Sequence, residues 1–147
     1  MKRTNFFILV MSAFIMLAAG QSFAQDANSH VVNIQKIRVK WPENGTATER
    51  DSLVAIYNAN VINKNEHILS HREYAHFFTG DNRDYVVIQE YKDLVGMEAS
   101  FLRTTELENK AWPDEMKRKE FFNKLDSYFE TWHADGLYHT NTRLSKN

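Results

Sequence analysis

The segment ILSHREYAHFFTGDNRDYVVIQEY, residues 68–91, reads as two strands joined by a polar turn. In its first arm Leu69, His71, Glu73, Ala75 and Phe77 alternate with Ile68, Ser70, Arg72, Tyr74, His76 and Phe78. The second arm, Tyr85 to Tyr91, is β-branched and aromatic, which suits a pleated, half-buried surface. Between them lie Gly80, Asp81, Asn82, Arg83 and Asp84, residues that tolerate the backbone angles of a hairpin loop. Pairing Thr79 with Tyr85 puts His71, Glu73, Ala75, Phe77, Val87, Gln89 and Tyr91 on one face. Tyr74, His76, Phe78, Val86, Ile88 and Glu90 then fall on the other. Neither face is simply polar, so helices must cover one, and a second copy of the chain is expected on the other.

On the N-terminal side, Val31 to Trp41 alternates as a strand that Pro42 ends. Asn44-Gly45-Thr46 matches a glycosylation sequon but reads as a turn. Thr48, with Asp51 three residues on, predicts a helix start. Leu53, Ile56, Tyr57 and Val61 give that helix one apolar stripe, and it should end near residues 63–65. On the C-terminal side, Asp93 caps a helix carrying Leu94, Met97, Phe101 and Leu102. The chain breaks at Trp112-Pro113, and Pro113 opens a further helix at its first position. The spacing of Phe121, Leu125, Tyr128, Phe129 and Trp132 extends that helix to about residue 132. Gly136 marks its exit, and Leu137 to Leu144 alternates as the last strand. This order predicts an α+β fold, a ferredoxin-like split βαβ sandwich with a four-stranded antiparallel sheet, helices on one face and dimerisation through the other.

Lys2 and Arg3, the apolar run Phe6 to Ala19, and Ser22-Phe23-Ala24 form the pattern of a cleaved signal peptide over residues 1–24. The run is well short of the roughly 20 residues that span a bilayer, so a periplasmic or secreted protein is expected, off the membrane once cleaved. Residues 25–147 then suit a single domain, with a folded core over about 31–144. The formal net charge is −1, with both signs interspersed, which argues against nucleic acid. There is no cysteine, so packing alone holds an exported fold and thiolate chemistry is excluded.

The element order, the segment SHREYAHFFTGDNRDYVVIQEY and the closing YFETWHADGLYHTNTRL resemble small proteins of the dimeric α/β barrel superfamily. That ferredoxin-like group includes the antibiotic biosynthesis monooxygenase-like domains, and the resemblance covers most of residues 31–144. It implies a dimer with two sheets packed face to face and an apolar cavity between sheet and helices. Members include cofactor-free oxygenases, haem-degrading enzymes and isomerases.

His71 and His76 lie five apart on one strand, so they face opposite ways and cannot share a metal. His71 and Glu73 do share a face, but a metal needs three or four ligands. His133, Asp135 and His139 belong to the end of the chain, and split βαβ topology puts the last strand at the opposite sheet edge. No metal site is expected. His133 reads either as a general base oriented by Asp135 or a proximal haem ligand, or as a histidine closing the long helix before Gly136. Local structure favours the helix-closing reading. Tyr74, Tyr91 and Tyr138 can line a pocket or pack in the core with polar tips at its rim.

The candidate ligand-binding residues are thus His71, Tyr74, His76, Tyr91, His133 and Tyr138, with no catalytic residue assigned. No cofactor is expected, and the chain has no phosphate-cradling glycine loop, no nucleophile elbow and no cysteine nucleophile, which sets those enzyme classes aside. The sequence suggests an exported homodimer that binds a small, largely apolar ligand, as a cofactor-free oxygenase or isomerase. The alternative is a non-enzymatic exported domain whose aromatic surface docks another protein.

Overall fold

The computed structural model describes residues 29–78 and 82–141, so the leader segment, Thr79 to Asp81 and the tail from residue 142 lie outside the described residues. Strand β1 (Val31–Val39) is followed by helix α1 (Ala47–Asn60), a 3-10 turn (Ile62–Lys64) and the hairpin strands β2 (Ile68–Ala75) and β3 (Asp84–Tyr91). Helices α2 (Leu94–Ala111) and α3 (Glu115–Asp126) then lead to β4 (Phe129–His139). The strands form one antiparallel sheet in the order β2-β3-β1-β4, the ferredoxin-like arrangement.

Local chemistry sets the helix ends. Thr46, two residues earlier than the expected Thr48, accepts from the Glu49 amide at 3.1 Å and starts α1. The turn before it is made by Asn44, whose φ of 62° is left-handed, a region that asparagine tolerates. Asp93 accepts from Gly96 N at 2.7 Å and starts α2 as its sequence predicts. Asp114 caps α3 by accepting from the amides of Met116 and Lys117, so Pro113 precedes the helix and does not take its first position. Trp112 stacks on Phe121 with ring centroids 4.4 Å apart, and Phe122 meets Tyr57 edge-on, which ties α3 to α1.

The hairpin register corrects the expected one. Tyr85 pairs with Ala75 rather than with Thr79, a slip of four residues. An even slip keeps the paired side chains on their faces, so the residues from His71 to Ala75 and from Tyr85 to Tyr91 remain as the alternation assigns them, while His76, Phe77 and Phe78 lie beyond the end of β2. Odd-numbered residues face the helices, and Val32, Ile34, Tyr74, Val86, Ile88, Trp132 and Tyr138 lie on the helix-free face.

The end of the chain departs further from expectation. Helix α3 stops at Asp126 and β4 begins at Phe129, so Tyr128, Phe129 and Trp132 do not extend a helix. The i, i+7, i+8, i+11 spacing is ambiguous here. Phe129 and then each residue from His133 to His139 pair with the open edge of β1, whose backbone groups need partners. Gly136 is not a helix exit but a mid-strand position under the Tyr138 ring, where a Cβ would lie 2.5 Å from the phenol oxygen.

Packing concentrates at the two ends of the sheet. At one end Val31, Tyr91, Val61, Ile62 and Leu107 are buried. There Asn65 donates to Ser100 O at 2.9 Å and to Thr104 Oγ1 at 3.0 Å, fastening the turn after α1 to α2. At the other end Val39, Tyr85 and the fully enclosed Tyr128 pack around the Arg50 guanidinium, which lies over the rings of Trp41 and Tyr85. The row between them, Glu73, Val87, Gln35 and Asp135, is where the layers part.

Candidate functional site

A cleft of about 320 Å³ opens between this middle row and helices α1 and α3. Its walls are largely apolar, with Ile37, Val54, Val87, Leu125 and Phe129, and its polar groups converge on Glu73. His71 Nε2 stands 2.7 Å from Glu73 Oε1, and Asn58 Nδ2 donates to the same oxygen at 2.7 Å. The Tyr85 hydroxyl donates to the second oxygen, Oε2. Strand alternation gives His71 and Glu73 a common face, the β2–β3 ladder brings Tyr85 beside them, and α1 lowers Asn58 onto the group.

Burial by itself would raise the Glu73 carboxyl. The hydrogen bonds from His71, Tyr85 and Asn58 outweigh it and hold the group down at about 2. Glu73 is therefore an ionised acceptor with its lone pairs engaged, a poor base and a good anchor. Burial, with the adjoining carboxylate, pushes the Tyr85 phenol well above its ordinary value and keeps it a donor. Since Glu73 can only accept, His71 Nε2 carries the hydrogen, and in the neutral imidazole Nδ1 then holds the lone pair. That nitrogen is buried and has no hydrogen-bond partner among the described residues. A second wall residue, Tyr57, donates to Glu108 at 3.0 Å and is likewise held protonated by burial and by that carboxylate.

Of the residues singled out in the sequence, the fold brings His71 and His133 to this one cleft. His133 lies on β4 at the far rim, half-exposed, with Nε2 3.2 Å from Asp135 Oδ2. It is not at a helix end, which overturns the capping reading. The remaining four go elsewhere. Tyr74 and Tyr138 are on the helix-free face, and His76 sits at the hairpin end, where its ring bonds the Phe78 carbonyl. Tyr91 is buried in the core, its hydroxyl donating to Gln89 at 2.9 Å and its phenol raised by burial.

Asn58, Tyr85, Phe129, Asp126 and Glu130 complete the cleft without having been singled out. For Tyr85 the odd-numbered face was a usable signal. Asn58 gives none, because it lies on the polar flank of an ordinary amphipathic helix. Among the described residues no group of three His, Asp or Glu is placed to hold a metal ion, and no helix is long and apolar enough to cross a membrane.

No family profile matches the chain, and no curated protein does. Solved structures do match. A dimeric ferredoxin-like protein from an uncultured marine organism is 9% identical over 82% of this chain and 96% of its own, with a TM-score of 0.51. SnoaB, a cofactor-independent oxygenase from Streptomyces nogalater, is 13% identical over 80% of this chain and 99% of its own, with a TM-score of 0.50. At such identities the likeness is one of fold. The chain shares the ferredoxin-like fold of these two structures.

Proposed function

We propose that the protein is an exported homodimer that binds a small, largely apolar molecule bearing a hydroxyl or enolisable carbonyl, and that His71 takes a proton from it. The observation that carries this reading is the buried His71 Nδ1, unpartnered among the described residues, on a ring that lines an apolar cleft, with Glu73 fixing the tautomer from the other side. A proton arriving on Nδ1 makes an imidazolium 2.7 Å from an ionised carboxylate, so the charge is met as it forms.

Proton removal is the first step of both chemistries considered for this chain. In isomerisation the resulting anion is reprotonated at another carbon. In cofactor-free oxygenation the electron-rich anion passes an electron to dioxygen, which is the oxidant. The fold is shared with a protein described as a cofactor-independent oxygenase, which supports the second. Export rests on the leader pattern of residues 1–24. Dimerisation is supported by the helix-free face, where Tyr74, Trp132 and Tyr138 are each about half exposed beside Val86 and Ile88, and by the dimeric ferredoxin-like relative.

Melting temperatures across a panel of quinones, phenols and haem, followed by dioxygen uptake with any compound that raises them, test the reading. The expected result is stabilisation by one or more phenols or quinones that is weakened in His71→Ala. Equal response of the wild type and His71→Ala to every compound would refute the assignment.

A further inference from the structure

The two ends of the cleft carry the same device. On β2, His71 is followed two residues later by Glu73, and on β4 His133 is followed two residues later by Asp135. Both pairs are in contact, at 2.7 Å and 3.2 Å. The registers place Glu73, Val87, Gln35 and Asp135 on one row across the sheet, with the two carboxylates on opposite edge strands. Because β2 and β4 run in opposite directions, His71 and His133 fall on opposite sides of that row. The two pairs are thus related by a rotation of half a turn about the centre of the sheet, the internal symmetry of a fold built from two βαβ halves. Both histidines line the one cleft, and Ile37 and Val87 lie between them.

We propose, building on the reading of the cleft as a ligand site, that it takes a rod-shaped molecule with a hydrogen-bonding group at each end. One end is held at His71–Glu73 and the other at His133–Asp135. The row from Glu73 to Asp135 covers three strand spacings, roughly 14 Å between backbones. The histidines lie farther apart on the diagonal. After the reach of two imidazoles and a hydrogen bond at each end, the gap suits a molecule about as long as two linked rings. The apolar middle takes the body of the rod, and a group with one polar end leaves the second histidine unused. His133 Nδ1 now meets only the Thr131 carbonyl at 3.4 Å, a contact at the limit of hydrogen-bond reach that a ligand group replaces.

Binding of 4,4′-biphenol and of 4-phenylphenol, which share one rod and differ only in the second hydroxyl, tests this by calorimetry on the wild type, His71→Ala and His133→Ala. The expected result is that the wild type prefers the diphenol by about tenfold or more, the scale of a charge-assisted hydrogen bond. His133→Ala should abolish that preference and leave 4-phenylphenol unchanged, whereas His71→Ala should weaken both. His133 is half-exposed on an edge strand, and an unchanged melting temperature establishes that its variant is folded. Equal affinity of the wild type for the two compounds, or a preference that survives in His133→Ala, overturns the two-ended site and leaves the cleft reading standing. Failure of both compounds to bind the wild type overturns the cleft reading and this inference with it.

Discussion

His71 Nε2 lies 2.7 Å from Glu73 Oε1, and because that carboxylate is ionised the nitrogen must carry the hydrogen. The pair fixes one face of the imidazole and frees the other. Nitrogen NMR of the neutral imidazole should show a protonated Nε2 and a bare Nδ1. The reverse tautomer would remove the proposed proton acceptor.

Glu73 also stabilises the fold in a pH-dependent way. Its folded value of about 2 lies below the ordinary 4.5, so the stabilisation is complete above that ordinary value and fades as pH falls towards the folded one. Glu73→Gln replaces an acceptor with a group that is partly a donor and faces three donors, and should cost on the order of 2 kcal/mol at pH 7. Urea unfolding from pH 7 down to pH 2 should show the difference between the two proteins narrowing at the acid end. A pH-independent difference would contradict the assignment.

Two adjacent residues on β3 separate the two faces of the sheet. Ile88→Asp charges the helix-free face and should convert a dimer to a monomer in size exclusion with light scattering, with dimer dissociation raised about a hundredfold or more by a buried unpaired charge. Val87→Asp charges the cleft instead and should abolish ligand stabilisation while leaving the dimer in place. A wild type that is monomeric at micromolar concentration would contradict dimerisation through the sheet.

His133 stands in the middle of β4, away from any helix end, so no helix dipole acts on it. His133→Ala should change stability by no more than about 0.5 kcal/mol, measured by melting of both proteins at neutral pH. A loss well above that figure would contradict the placing of His133 at the half-exposed rim of the cleft.

What the sequence makes legible is the alternation. The faces of β2 and β3 are right even though the register is displaced by four residues, because the side-chain period of a strand is two. The common face of His71 and Glu73, the placement of β2 and β4 at opposite edges, and the Asp93 cap follow from the same local rules. The border between α3 and β4 was not legible. Tyr128, Phe129 and Trp132 fit a helical stripe as well as they fit a strand, and only the open edge of β1 decides between them. Nor was Asn58 legible, since its hydrogen bond to Glu73 spans fifteen residues and exists only once α1 has packed across the sheet.

The central claim is that a ligand enters between the helices and the sheet, and methyl NMR tests it directly. On adding 4-phenylphenol to methyl-labelled protein, the signals of Ile37, Val54, Val87 and Leu125 should move and saturate together, while those of Val32, Ile34, Val86 and Ile88 stay in place. Movement of the second set without the first would put the binding surface on the opposite face of the sheet and contradict the account.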